Sequence, residues 1–359
     1  DTVRDFVTSE IKPAALKADR LDVADRRLLW DLIDQASQMG LRTLALSEDL
    51  GGAGADRLTS CIVTEELAAG DADIAAILSE TSRLGHLLFD RAMNDAQRDA
   101  FLPKFLNTDR YHLALAHREA DTDTRLGVNY HRAASNEIAI KTEAAGAPNG
   151  DWVVNGVKTC IANAPVAALF VVTATVAGRG DVVLLVPADT PGLTVKAHDN
   201  PWQHGCAGDV TFRDCKVPAA NLLGSDAIDL LAGVDTSAQS QLQAIVLGIG
   251  RAASEAALEY AQLRVQGGRP IVQHQAIATK LADNAIRLEV ARNTVWQAAW
   301  AAEHPEAFAD RSLTDLPLTT IAQVYATEAM VKTAKDAAEV FGAMGVLRAL
   351  PFARPRVVS

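Results

Sequence analysis

Over residues 241–302 apolar side chains return every third or fourth position, the spacing that lines one face of an α-helix. One stripe is Leu242, Ile245, Val246, Ile249, Ala253, Ala256, Tyr260 and Leu263; the next is Ile277, Leu281, Ala285, Leu288, Ala291, Val295 and Ala298. Between them stands Gln266-Gly267-Gly268-Arg269-Pro270, where glycine ends one helix and proline cannot continue it. Alanine is frequent on both stripes, so the axes can approach closely and a tight antiparallel bundle is expected. A third stripe follows at Ile321, Val324, Val331, Ala334, Ala338 and Phe341. A purely structural bundle explains the stripes. It does not explain why Arg264, Gln266, Arg269, His274 and Gln275 gather around the turn, a grouping that suits an anionic ligand.

Residues 1–110 also read as helices. Val3, Phe6, Val7 and Ile11 start one that should end at Pro13, and Leu28, Leu29, Leu32, Ile33 and Ala36 mark another, stopped by Gly40. More follow over 58–69, 74–89 and 95–106. The run Gly51-Gly52-Ala53-Gly54 reads as a structural loop, because no Lys-Ser/Thr follows to make a phosphate cradle.

The period shortens at residue 111. Apolar pieces at 111–116, 137–142, 152–154, 169–176, 182–186, 193–197 and 210–212 read as strands, and Asn155-Gly156 predicts a hairpin turn. The expected fold is therefore α+β: an N-terminal helical domain over 1–110, an antiparallel β-barrel domain over 111–220 and a C-terminal four-helix bundle over 221–359.

Composition narrows the function classes. The net charge of −11 argues against a nucleic-acid surface. No apolar run reaches the about 18 residues of a membrane span, and no secretory leader is visible. The four cysteines show no paired ligand spacing and the eight histidines form no metal motif, which suits a reduced, cytoplasmic setting. The chain starts at Asp1 without methionine and stops at Ser359 soon after a helix, so further residues are expected at both ends.

The order of helices, strands and helices, with several local sequences, resembles the acyl-CoA dehydrogenase family over nearly the whole chain. Ser47-Glu48 with Gly51-Gly52-Ala53-Gly54 resembles the family's P-E-x-x-G-G-x-G, and Glu65-Glu66-Leu67-Ala68 its E-E-L-A. Trp152 to Lys158 resembles W-x-x-N-G-x-K, and Pro187-Ala188-Asp189-Thr190-Pro191-Gly192 and Val217-Pro218 resemble later β segments. His274-Gln275-Ala276-Ile277 follows the bundle turn as in the family, and Phe341-Gly342-Ala343-Met344-Gly345 resembles F-G-G-x-G.

The resemblance implies FAD between the β domain and the bundle, and an acyl-CoA substrate. A carboxylate would take the proton beside the thioester while the flavin takes a hydride from the next carbon. It implies cofactor contacts at Leu115, Ala116, Thr122, Cys160, Ile161, Ala162, Arg264, Gln266, His274, Gln275, Glu339, Gly342 and Ala343, and substrate contacts at Thr122, Asp235 and Gln239. Arg264 would reach the FAD pyrophosphate of a neighbouring subunit, which implies a homo-oligomer, a dimer of dimers. An electron-transfer flavoprotein is the implied electron acceptor.

Several positions depart from the pattern. The flavin-loop motif T-E-P-x-A-G-S-D falls on 116–123 and keeps only Thr122-Asp123; Thr122 reads equally as a hydroxyl donor and as a turn residue. Extra sequence stands at 125–132. Cys160 replaces the aromatic that packs on the isoalloxazine, and Ala162 the nearby hydroxyl residue. No histidine adjoins Cys160 in sequence, so it reads as a packing residue and not as a nucleophile. Glu339 brings a negative charge toward a diphosphate. The catalytic base falls, by resemblance, at Ala238, which has no carboxylate, or beyond Ser359. Asp235 nearby reads as a helix cap. Three functions fit: an acyl-CoA dehydrogenase, a non-catalytic or flavin-poor subunit paired with an active homologue, and a flavin monooxygenase of the same fold.

Overall fold

A central sheet with helices before and after it forms the computed structural model, which describes residues 1–17, 27–120, 140–198, 205–232, 234–308 and 318–346, with the backbone alone at 232, 234–239, 305, 308 and 346. Helix α1 (Thr2–Phe6) does not stop at Pro13 as expected. It passes through a wider turn, Val7–Ile11, into α2 (Lys12–Ala15). Pro13 sits in the first turn of α2, where its missing N–H matters least. Helix α3 (Trp30–Gln38) is followed by Gly40 at φ +83°. In the glycine loop a Cβ on Gly52 would lie 2.0 Å from the Leu46 carbonyl oxygen, so close backbone approach requires glycine there.

Helix α4 (Arg57–Gly70) is capped by the Asp56 carboxylate, which accepts from Thr59 N–H at 2.7 Å. Asp71 caps α5 (Ala72–Gly85) in the same way, and Asn94 and Gln97 form a capping box on α6 (Asp95–Asn107).

Seven strands make one sheet: β1 (His112–Ala116), β2 (Glu143–Gly146), β3 (Trp152–Ala162), β4 (Ala167–Val176), β5 (Gly180–Pro187), β6 (Leu193–Ala197) and β7 (Ala207–Val217). The order is β1-β4-β2-β3-β7-β6, with β5 also on β4. The expected antiparallel barrel is corrected on two counts. Strand β1 runs parallel to β4, and β2 meets β4 in parallel at Glu143↔Thr175, so the sheet is mixed. Among the described residues it does not close on itself. Strand β1 reaches β4 by way of β2 and β3 and not by a direct turn, so the two can run parallel, which a tight hairpin does not allow.

The expected hairpin at Asn155-Gly156 is also corrected. Strand β3 runs straight through this pair, and the register against β7 shifts between Val154 and Gly156, a bulge. Gly156 has φ +153°, and a Cβ there would lie 2.7 Å from Thr142 Cα. The reversal between β2 and β3 lies instead at 147–151, where Gly150 has φ +88° and Ala147 N–H donates to Asp151 C=O at 2.7 Å. Of the strand expected at 137–142, residues 140–142 are not strand, and the ladder begins at Glu143.

Helix α7 (Ala227–Ala232) leads into α8 (Val234–Leu263), α9 (Gln275–Ala301) and α10 (Leu318–Val340). These last three pack on one another, and α4 lies against α8. Three long bundle helices stand among the described residues after the sheet. Leu242, Leu263 and Val324, expected on core stripes, are exposed, because neighbours within one chain cover a narrower face than the stripes span. The turn of the bundle is a small hairpin, β8 (Val265–Gln266) and β9 (Arg269–Pro270). One core runs between β1, β4, β5 and the helices α5 and α6, and another joins α4 and α5 to Ile245 and Ile249 of α8. Helix α5 thus stands between sheet and bundle. No helix among the described residues is long and apolar enough to cross a membrane.

Candidate functional site

The site residues expected from sequence fall into two groups. The first lies where β1 and β3 end. Leu115 and Ala116 are buried in β1, and Cys160, Ile161 and Ala162 close β3. Ile161 is buried, while Cys160 and Ala162 are exposed. Asn163 follows at φ +61°, with its amide donating to Ile77 C=O at 3.0 Å and to Thr81 Oγ1 at 3.2 Å. This pins the end of β3 onto α5.

Beneath lies a buried ion pair. Lys158 Nζ donates to Glu119 Oε1 at 2.7 Å and to Thr173 Oγ1 at 3.0 Å. Glu119 also accepts from Lys141 N–H, Thr142 N–H and Thr142 Oγ1. Burial pushes the Glu119 carboxyl up, but the donors from Lys158, Thr142 and Lys141 outweigh it and hold the group below its usual range. Burial pulls the Lys158 ammonium down, against Glu119. Glu119 therefore fastens the chain that follows β1 to β3 and to the start of β2. In sequence Glu119 is only a departure from the family motif; the alternation along β3 that buries Lys158 is the signal that points to a buried partner.

Cys160 was expected to be a packing residue. It has φ +53°, sits in a second register shift between Lys158 and Ile161, and is exposed. Its N–H donates to Asp209 Oδ1 at 3.1 Å. His198, just past β6, brings Nδ1 to 4.0 Å from the thiol and Nε2 to 2.8 Å from Asp209 Oδ1. The histidine absent from the neighbouring sequence arrives across the sheet.

The second group is at one end of the bundle. Gly267 and Gly268 have φ +64° and +82°, the two left-handed residues a tight hairpin needs. His274 Nε2–H donates to Gln266 C=O at 2.9 Å, which leaves Nδ1 to accept from Arg269 Nη2 at 3.4 Å. Arg264, Gln266 and Gln275 are exposed around this turn. Glu339 is exposed too, and Lys280 Nζ lies 2.5 Å from its Oε2, so its charge is offset locally. The Lys280 ammonium is held above its usual range by this hydrogen bond. Gly342, at φ +60°, and Ala343 follow on the surface. The Tyr260 and Phe341 rings stack at 4.4 Å, which brings the end of α10 beside the turn. The two groups belong to separate cores. Thr122, Ser359 and the extra sequence at 125–132 lie outside the described residues, as do the side chains of Asp235, Ala238 and Gln239.

Known proteins resemble this chain over nearly its whole length. Models of the N-terminal, middle and C-terminal domains of acyl-CoA dehydrogenase match residues 1–109, 131–215 and 240–356. An acyl-CoA dehydrogenase of Bacillus subtilis (strain 168) is 32% identical over 98% of this chain and 89% of its own length. The human mitochondrial short-chain specific acyl-CoA dehydrogenase is 29% identical over 98% of this chain and 82% of its own. The structure of butyryl-CoA dehydrogenase from Megasphaera elsdenii superposes with a TM-score of 0.83 at 26% identity, covering 98% of this chain and 89% of that one.

Proposed function

Because the chain belongs to the acyl-CoA dehydrogenase family, we propose that it oxidises the α,β C–C bond of a short, straight-chain acyl-CoA with FAD and passes the electrons to an electron-transfer flavoprotein. The observation that carries this reading is the match of all three domain models in chain order. The short chain length is supported by the relatives named short-chain specific and butyryl-CoA dehydrogenase. The same reading divides the chain at about 110 and 220 into helical, β and bundle domains.

The residues fit the cofactor. Arg264 and Arg269 offer planar forks that match a diphosphate, and Lys280 offsets the nearby charge of Glu339. Bound FAD would supply the hydride acceptor. Leu115, Ala116, Ile161 and Ala162 would offer backbone groups to the flavin end, and the Glu119–Lys158 pair would hold the approach to Thr122 in place. Gln266, His274, Gln275, Gly342 and Ala343 would line the dinucleotide at the bundle end. Because the two groups sit on separate cores, this reading has Arg264 serve a neighbouring copy, as in a dimer of dimers. Ala238 cannot supply the base, so a carboxylate from another part of the protein must remove the α proton.

That alanine also favours a second reading, a subunit that binds flavin without turning over. One measurement separates the two. The purified protein should show a flavin absorption band that bleaches on adding butyryl-CoA anaerobically. A band that persists with every acyl-CoA supports the non-catalytic subunit, and no band after FAD addition defeats both.

A further inference from the structure

Strands β1 and β3 are not neighbours in the sheet, since β4 and β2 stand between them. Among the described residues no ladder therefore sets the distance between the end of β1, at Leu115 and Ala116, and the end of β3, at Ile161 and Ala162. A buried polar chain does. Asn163, directly after β3, is 2% exposed, and Thr81 of α5 and His112 of β1 are 0% exposed, so their burial does not depend on a bound cofactor. Asn163 Nδ2 donates to Ile77 C=O at 3.0 Å and to Thr81 Oγ1 at 3.2 Å, and Leu113 C=O of β1 lies 3.4 Å away. The Asn163 backbone N–H donates to Cys206 C=O at 2.8 Å, just before β7. The Thr81 hydroxyl accepts from Asn163, so its own proton goes to His112 Nδ1, 3.2 Å away. That places the ring proton on Nε2, which has no partner. Burial first and Arg42 second pull the imidazole down to about 4, so the ring is neutral at neutral pH and Nδ1 keeps the lone pair that the chain uses.

A buried N–H without a partner is destabilising, and apolar side chains at 81 and 112 would avoid it. Apolar packing would fill the same space without fixing a separation. Hydrogen bonds of 3.0 to 3.2 Å, by contrast, fail once their ends move apart by about 0.5 Å. We infer that Asn163, Thr81 and His112 are positioning residues for the flavin: they hold the ends of β1 and β3 at one separation, so that backbone groups at both ends meet the ring together. This rests on the proposed FAD reading, which sets the ring against Leu115, Ala116, Ile161 and Ala162. The three side chains act through the backbone against which the ring would lie.

The test titrates FAD into the full-length apoprotein. It reads the dissociation constant from quenching of flavin fluorescence, the visible absorption band of the bound flavin, and the urea midpoint at neutral pH. Thr81→Val removes the hydroxyl at nearly constant volume. It should weaken FAD binding roughly tenfold and return the band toward that of free FAD. Thr81→Ser restores the hydroxyl and should behave as wild type. His112→Leu removes both the acceptor and the unpartnered N–H. It should bind FAD as weakly as Thr81→Val while its urea midpoint holds or rises, a split that a merely structural role would not give. Either variant decides the matter, so His112→Leu gives the answer should Thr81→Val not fold. Wild-type affinity and an unshifted band in these variants overturn the inference and leave the FAD reading intact. A wild type that takes up no FAD overturns both.

Discussion

His112 shows how a single buried group sets a pH limit. It is fully buried in β1, with Nδ1 3.2 Å from Thr81 Oγ1 and Nε2 without a partner. Burial pulls its imidazole down to about 4, with Arg42 adding to the effect. The folded protein holds this ring neutral, while the unfolded chain takes up a proton near 6.5. Stability should therefore fall as pH drops from 6.5 to about 4, by on the order of 3 kcal/mol in total. Glu66 acts in a lower window: burial raises its carboxyl, but Arg251 and Arg4 outweigh this and hold it at about 2, so its contribution is lost between 4.5 and 2. In urea titrations at a series of pH values, His112→Gln should flatten the upper window and leave the lower one. An unchanged slope between pH 6.5 and 4 would reject this account. Residues of this kind are not legible in sequence. His112 is one more position in an apolar strand, and the contact between Cys160 and His198 spans 38 positions.

Elements were more legible, because period and caps are local properties. The stripes of α8, α9 and α10 lie on real helices, and strands appear at 193–197 and near the other apolar runs. The errors came where one signal had two meanings. Asn-Gly occurs at both 149–150 and 155–156, and only the first is a turn. The second glycine is needed for the approach of Thr142 to β3, a contact no local pattern contains. Glycine in α8 has the same kind of cause. A Cβ on Gly248 would lie 2.4 Å from the Glu65 carbonyl oxygen of α4 and 2.7 Å from Ala68 Cβ. Helix propensity alone would make Gly248→Ala stabilising by about 1 kcal/mol. Contact with rigid backbone should win, for a net loss of about 1–3 kcal/mol. Thermal melts decide it, with Gly146→Ala as the control, since nothing lies within 4 Å of a Cβ there. Equal melting temperatures for the two variants would show that α8 can move off α4 freely.

At the scale of the whole molecule, the order of helical, sheet and helical parts could be read from changes in period, but not what joins them. Arg251 of α8 donates to both oxygens of Glu66 at 2.8 Å, and Arg4 of α1 reaches the same carboxylate at 2.6 Å. Arg292 of α9 donates to Glu65 at 2.8 Å. These partners lie 185, 62 and 227 positions apart, so no window of sequence could pair them. Together they tie the first helix and α4 to the bundle around a cleft that Ile62, Leu258 and Leu288 also line. Arg251 is 9% exposed and Glu65 2%, so most of this network is shielded from solvent. Removing one partner there leaves charge without full compensation, and Arg251→Leu should cost roughly 3 kcal/mol. A double-mutant cycle with Glu66→Gln isolates the pair from the lost packing. The coupling should exceed that of Lys12 and Glu255, whose side chains are 35% and 53% exposed at 3.3 Å and whose cycle should give under about 1 kcal/mol. If both cycles give the same coupling, the charges contribute little, and the parts are held by the apolar core around Ile74, Ile77, Ile245 and Ile249 alone.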